Sequence, residues 1–519
     1  MNERSSSRRQ VSQFCFRATA CALLLCQFAL GSSQAAAPQD RVDHLLQIAQ
    51  QNPKLDLQEQ RENDPARTYL EGTYRVFENR GLASGREIDL HLVILPARSE
   101  SPQPDPVFAL HGGPGAAATT MLQGLTGSWL REERDIVLVD QRGTGQSNPL
   151  HIAELQGNPD LQSFLEPMFR AEIFEAAIPE LEKRADLTQY TTLIAMDDLN
   201  EIRHALGYDK INLRGGSYGS RAVLEYCRRH PESVRTATIQ GIAPVSFRNP
   251  LEHAQAAQDA IDLIFEECRS EEQYRQAFPD IEKKFAEVLE RLEREPAKVK
   301  LAIGEGGEET TVLLTRDAFA ESLRVVMYRT NTSRQVPRLI MAAHEGNYKD
   351  VAIAGINQTA GLRNLLAFGM LMCVIGSEDI PRIDPAEVEE KCAGTFLGSA
   401  RVRQQMEVAK VWPRGDVPAD YGDPVDVDVP VLLFSGTIDP VTPPRFGDEA
   451  ARHLPNSLHV VVPGAHGVGG PAVQRLEEQF LESASLEGSD TSAIEQMRLP
   501  PLELPSASDS IEARDRAAV

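Results

Sequence analysis

Lys210-Ile-Asn-Leu-Arg-Gly-Gly-Ser-Tyr-Gly-Ser220 is the stretch on which the reading of this chain turns. Its first five residues read as a strand. The run that follows, Arg221-Ala-Val-Leu-Glu-Tyr-Cys-Arg-Arg-His230, reads as a helix and stops at Pro231. Between them lies G-x-S-x-G. A turn tight enough to join a strand directly to a helix brings their backbones together, so Gly215 and Gly219 must lack side chains for the two to pass. Ser217 is then pushed out at the top of a sheet, where a base can reach it. The string alone also fits a glycine-rich loop; the flanking strand and helix give it weight.

A serine nucleophile needs a base to take its proton, an acid to orient that base, and donors for the oxyanion. On a strand–turn–helix scaffold of this kind the expected chain order is Ser, Asp, His. Val431-Leu-Leu-Phe-Ser-Gly-Thr-Ile-Asp439 is a buried strand followed by a loop acid. Leu458-His-Val-Val-Val-Pro-Gly-Ala-His466 is another strand followed by a loop histidine. Taken singly, each is an ordinary turn aspartate or solvated histidine. Together, in order and past strand C-terminal ends, Ser217, Asp439 and His466 are the expected catalytic residues. The oxyanion donors expected here are the N–H of Tyr218 and one from Phe108-Ala-Leu-His-Gly-Gly-Pro-Gly115, where Gly113 or Gly112 would supply it. That loop lacks the G-x-G-x-x-G and P-loop lysine patterns of phosphate binding.

Working outward, strand-like runs recur at 73–77, 87–95, 107–110, 135–139, 210–213, 236–240, 429–434 and 458–462. Several are continuously apolar, as strands buried on both faces are. Helical patterns separate the later ones; Ala195, Leu199, Ile202 and Leu206 keep helical spacing up to Gly207. The expectation is an α/β fold with a mostly parallel eight-stranded sheet. Core residues 36–244 and 426–485 flank an inserted helical cap, 245–425, with helices near 254–269, 279–293, 316–328, 335–346 and 385–410. A hairpin is expected around Gly304–Gly307, a polar helix over 41–62, and a loosely ordered tail over 486–519.

Residues 1–35 read as an export signal: Arg4, Arg8 and Arg9, then a short apolar run from Ala18 to Leu30, then Ser33-Gln34-Ala35 before the cut. The apolar run falls short of the roughly 20 residues that span a bilayer. Ser7-Arg8-Arg9 hints at twin-arginine export, though Val11 and Ser12 fit poorly. The expectation is a periplasmic or secreted protein with no stable membrane insertion once the signal is removed. Residues 1–35 hold four Arg and one Glu, so the remainder carries 49 basic against 75 acidic residues, a net charge of −26. Such a surface repels nucleic acid. Cys227, Cys268, Cys373 and Cys392 remain beyond the signal. Cys373 with Cys392 is the pair best placed for a disulfide, and Cys227 reads as a buried thiol. No Cys or His cluster has zinc-ligand spacing, so neither metal nor cofactor is expected.

His111-Gly-Gly-Pro-Gly115, Asp140-Gln-Arg-Gly-Thr-Gly-Gln-Ser147 and Gly215-Gly-Ser-Tyr-Gly219 together resemble the proline iminopeptidase and tripeptidyl aminopeptidase group of α/β-hydrolases. So do the run from Tyr190 to Gly207 and Gly436-Thr-Ile-Asp439-Pro-Val-Thr-Pro. The resemblance covers most of 105–245 and 425–470. It implies a serine exopeptidase acting at a free peptide N-terminus, with Ser217, Asp439 and His466 as triad and Gly113 and Tyr218 as oxyanion donors. The chain departs from the group at Glu271–Tyr274 and at Ala493, where relatives often carry cysteine. An exopeptidase must hold the substrate's ammonium, and a cap carboxylate is the natural partner. Glu378 and Asp379 are the candidates; a solvated acidic loop is the plainer reading of both. The expected partner is a peptide or a small ester or amide. A carboxylesterase of the same fold, and a non-catalytic binding protein on this scaffold, are the alternatives.

Overall fold

The structure is a computed structural model. It describes residues 38–61, 67–82, 84–156, 160–302 and 309–505. The export signal expected at 1–35 and the hairpin turn at 304–307 lie outside them.

The described strands run β1 (Leu55–Gln60), β2 (Tyr69–Phe77), β3 (Glu87–Leu95), β4 (Val107–Leu110), β5 (Ile136–Val139), β6 (Ile211–Gly216), β7 (Val234–Gln240), β8 (Ala297–Ala302), β9 (Glu309–Leu314), β10 (Val431–Gly436) and β11 (Ser457–Val462). Nine form one sheet in the order β1-β2-β3-β5-β4-β6-β7-β10-β11. From β5 to β11 every pairing is parallel, while β1, β2 and β3 form an antiparallel edge. The mostly parallel α/β sheet is therefore present, with one strand more than the eight expected.

The extra strand, β1, lies where a single polar helix was expected over 41–62; the helix ends at Gln51. Leu55 and Leu57 point inward and Asp56 and Gln58 outward, a half-buried alternation too short to stand out in sequence. By contrast every residue of β4, β5 and β10 is buried. Strands covered by helices on both faces are apolar throughout, which is why they were legible.

The helical block between β7 and β10 carries one small hairpin, β8–β9, as expected. Two of its helices, Lys349–Leu365 and Phe368–Glu378, escaped the sequence reading. The second is buried at every position, so it has no polar stripe to betray a helical period. The single helix expected over 385–410 is two, Glu387–Cys392 and Ala400–Val411, separated by Gly394 and Gly398 with φ of 72° and 61°.

Cys373 and Cys392 are free thiols, contrary to the pairing expected. Cys373 sits inside the buried helix Phe368–Glu378, where its sulfur accepts from Trp412 Nε1 at 3.3 Å. Cys227 is a buried free thiol. The described part of the tail, 486–505, is also better tied down than expected. Ile494 and Leu502 are buried, and the Leu502 N–H donates to Tyr274 Oη at 3.0 Å.

Candidate active site

Ser217 stands between β6 and the helix Tyr218–Arg229 with φ 57° and ψ −128°, a backbone region that costs a non-glycine residue free energy. The surrounding chain holds it there. Its N–H donates to Gln240 O at 3.0 Å, and its own carbonyl accepts from the Ser220 N–H at 2.8 Å. The two glycines of the turn are required by close approach. A Cβ on Gly215 would lie 2.3 Å from Gly219 O, and one on Gly219 would lie 2.7 Å from Leu110 O.

Asp439 follows the C-terminal end of β10 and His466 that of β11, and these two strands pair in register. His466 Nδ1 lies 2.8 Å from Asp439 Oδ2. That bond occupies Nδ1 and leaves Nε2 for a hydroxyl. Both side chains are nearly buried, yet Ser217 and His466 line one cavity. Ser217 Oγ has no hydrogen-bond partner within 3.5 Å among the described residues. Catalytic hydrogen bonds of this kind are commonly long before substrate arrives.

The glycine loop after β4 lies against the serine: a Cβ on Gly112 would be 3.1 Å from Ser217 Cβ. The Gly112 N–H is already taken by His111 Nδ1 at 2.7 Å. Burial pushes the His111 imidazole down to about 4, so it stays neutral and able to accept. Of the two glycines considered, Gly113 is the one whose N–H this bond leaves free. Tyr218 is the first residue of its helix, where an N–H has no intrahelical acceptor.

The Asp140–Ser147 run is structural support for this loop. Asp140 Oδ1 accepts from Thr119 N at 2.9 Å, and its Oδ2 meets His91 Nδ1 at 3.1 Å. Arg142, fully buried, pairs with Asp198 through Nε at 2.6 Å. Gln141 Oε1 accepts from Tyr218 Oη at 3.2 Å, which ties the run to the expected oxyanion donor.

Glu378 and Asp379 are buried but are not among the residues lining the cavity. Glu378 accepts from Thr192 N at 2.6 Å, Thr192 Oγ1 at 2.8 Å and Tyr421 Oη at 2.7 Å. Thr192 Oγ1 in turn meets Tyr218 Oη at 2.8 Å. Asp379 is held by Arg221 Nη1 at 2.8 Å and Arg382 Nη2 at 3.1 Å. Both carboxylates are thus occupied by the protein's own donors. A cap acid reads the same in sequence whether it faces a ligand or an internal arginine.

Two contributors were missed. Thr442 Oγ1 donates to Asp439 Oδ2 at 2.8 Å and lies 3.2 Å from His466 Nδ1. A threonine three residues after a loop aspartate is the only sequence signal for it. Tyr328 comes from the cap: its ring lies edge-on to the His466 ring at 5.3 Å, and its carbonyl accepts from the His466 N–H at 3.2 Å. No local pattern could have announced a partner so distant in the chain.

The cavity, about 1850 Å³, is lined by both core and cap, with much apolar surface and a few polar groups near Ser217. Room of this size suits an organic substrate rather than an ion. Among the described residues no group of three or more His, Cys, Asp or Glu is placed to hold a metal. No described helix is long and apolar enough to cross a membrane.

A parallel sheet with a serine turn, and an acid and a histidine at neighbouring strand ends, is the architecture of an α/β-hydrolase. The chain belongs to the α/β hydrolase fold family, which matches residues 105–468. It is similar to the proline iminopeptidase of Neisseria gonorrhoeae, 32% identical over 145 residues, or 28% of this chain and 35% of that one. It is also similar to that of Xylella fastidiosa, 29% identical over 142 residues, 27% of this chain and 34% of the relative. The chain thus spans about a third of the length of the curated relatives it matches. Among solved structures, a Mycobacterium smegmatis proline iminopeptidase covers 79% of this chain and 96% of its own at 15% identity and a TM-score of 0.33. A Thermogutta terrifontis esterase covers 79% and 96% at 17% identity and a TM-score of 0.34.

Proposed function

We propose that the chain is an exported serine hydrolase of the aminopeptidase type, working through an acyl-enzyme on Ser217. The observation that carries this reading is the His466–Asp439 pair, joined at 2.8 Å at neighbouring strand ends, with His466 lining the same cavity as the strained Ser217. Similarity to proline iminopeptidases over the stretch they share supports a peptide substrate. The sequence of residues 1–35 supports export.

In the first step Ser217 Oγ bonds to the scissile carbonyl carbon while His466 Nε2 takes its proton. The carbonyl oxygen becomes an oxyanion held by the Gly113 and Tyr218 N–H groups. Collapse breaks the C–N bond, and the imidazolium gives its proton to the departing amine. Water then adds to the ester by the same route and frees the acyl group and Ser217. Asp439 holds the imidazole and stabilises its cation without taking the proton.

The test is a substrate panel on the purified protein and on Ser217→Ala. The panel comprises prolyl, alanyl and tripeptidyl anilides, their N-acetylated forms, and a p-nitrophenyl ester. Free-amine anilides should be cleaved, their acetylated forms poorly, and the variant should lose activity by several orders of magnitude. Near-wild-type hydrolysis by Ser217→Ala would falsify the mechanism. Equal cleavage of free and acetylated substrates would remove the aminopeptidase assignment. Cleavage of the ester alone would make the protein a carboxylesterase.

A further inference from the structure

The cap side of the cavity carries a cationic surplus. Glu321 and Arg324, from the helix Arg316–Val326, and Arg401, from the helix Ala400–Val411, all line it. Arg324 Nε donates to Glu321 Oε2 at 2.7 Å, and Arg401 Nη1 lies 3.5 Å from Glu321 Oε1. One carboxylate therefore faces two guanidinium groups. The other acids lining the cavity are engaged: Glu166 with Arg170, Asp317 with Arg316, and Glu477 with Arg214. Nearby His253 adds no charge, because burial and then the charges of Arg401 and Arg324 push its imidazole well below the usual range.

Arg401 is the group left short. Its Nε is buried with no hydrogen-bond partner, and its guanidinium rests over the Phe169 ring at 5.3 Å. Burial and the charge of Arg324 hold its pKa below the usual arginine value, as for a cation with too little opposite charge around it. One turn along the same helix face, Gln405 is 1% exposed and its Oε1 is unpartnered. A buried polar atom left without a partner is destabilising unless something arrives to meet it. A cation beside an acceptor is what the terminal residue of a peptide would meet, with its carboxylate and its N–H.

The cluster also has a position along the substrate. Tyr328 links it to the triad: Arg324 Nη1 donates to Tyr328 Oη at 2.7 Å, and the Tyr328 ring contacts His466 at 5.3 Å. His466 must protonate the departing amine, so the leaving part of the substrate lies on its side. An anion held there would therefore lie at the end of the leaving part.

We propose that Arg401 and Gln405, backed by Arg324, form a subsite for the free C-terminal carboxylate of a short peptide. The protein then favours oligopeptides with a free C-terminus over long chains. This rests on the peptidase reading above.

The experiment compares two tetrapeptides differing only in a C-terminal carboxylate or carboxamide, with release of the N-terminal product followed by chromatography. Wild-type kcat/KM should favour the free acid by about 10- to 100-fold, the range of one hydrogen-bonded charge contact. Arg401→Met should bring the acid-to-amide ratio close to one, and Arg401→Lys should keep part of the preference. Equal rates for acid and amide in the wild-type protein overturn the subsite, whether or not the variants fold. So does a preference that Arg401→Met retains. Hydrolysis of neither peptide, with the ester still cleaved, removes the peptidase reading itself and the subsite with it.

Discussion

Thr442 Oγ1 donates to Asp439 Oδ2 at 2.8 Å, on the same carboxylate that holds His466 Nδ1. The N–H groups of Val441 and Thr442 donate to Oδ1 at 2.8 and 3.0 Å. Burial alone would push this carboxyl up. The charge and hydrogen bond of His466, with those backbone donors, outweigh it and hold the pKa below the usual aspartate range. Asp439→Asn keeps the shape but removes the charge and presents an N–H where His466 needs an acceptor. Its kcat should fall about 10⁴-fold with the fold intact by circular dichroism. A loss below tenfold would show that another acid orients the histidine.

Thr442→Val deletes one donor to that carboxylate at nearly constant volume. A hydrogen bond to a charged, buried group is worth about 1.5–3 kcal/mol. The variant should be less stable by about that amount in urea unfolding, and Thr442→Ser should recover most of it. Activity should fall much less than in Asp439→Asn, because the two backbone donors remain. A collapse of activity matching Asp439→Asn would contradict the secondary role given to Thr442 here.

At Gly215 the constraint is steric. A methyl group there would lie 2.3 Å from a backbone oxygen of Gly219, with Val223 Cγ2 at 2.9 Å on another side. Neither the strand nor the helix can move without displacing Ser217. Gly215→Ala should cost at least about 2–3 kcal/mol of stability, the upper range for overpacking, and should lose activity in whatever folds. Wild-type urea midpoint and turnover in this variant would show that the strand and helix do not cross as closely as the structure places them.

How far sequence reaches is visible in these residues. Ser217, Asp439 and His466 could be singled out from sequence because each follows a strand-like run that ends in turn residues, although only the run before Asp439 is buried throughout. The loop residues alone left Gly113 and Gly112 both open, and the Gly112 N–H bound to His111 favours Gly113, the one the resemblance implies. The cap was legible as helical but not as a site. Its buried helix Phe368–Glu378 lacks periodicity, and its chemistry depends on pairings such as Tyr328 with His466 that join distant segments. Glu378 and Asp379 illustrate the limit. Sequence exposes a carboxylate's presence, whereas its partner is a property of packing.

Glu378 offers a test by titration. Burial pushes its carboxyl up from an ordinary 4.5 to about 7, against the opposing pull of Arg221 and of its Thr192 and Tyr421 donors. A carboxyl with a higher pKa folded than unfolded binds its proton more tightly in the native state. That contribution to stability is complete below about pH 4.5 and is lost as pH rises through about 7. Glu378→Gln cannot ionise and lacks this dependence. Whatever its absolute stability, the wild-type urea midpoint should fall relative to that of the variant between pH 5 and pH 8, and the two should run parallel below pH 4. The same substitution disturbs the Glu378–Thr192–Tyr218 chain of hydrogen bonds. It should therefore lower kcat more than it raises KM, since Tyr218 is the proposed oxyanion donor and Glu378 does not line the cavity. Parallel stability curves across the whole range would mean that Glu378 is ionised in the native protein at neutral pH. A pure KM effect would return it to the role of substrate anchor that its place in the cap first suggested.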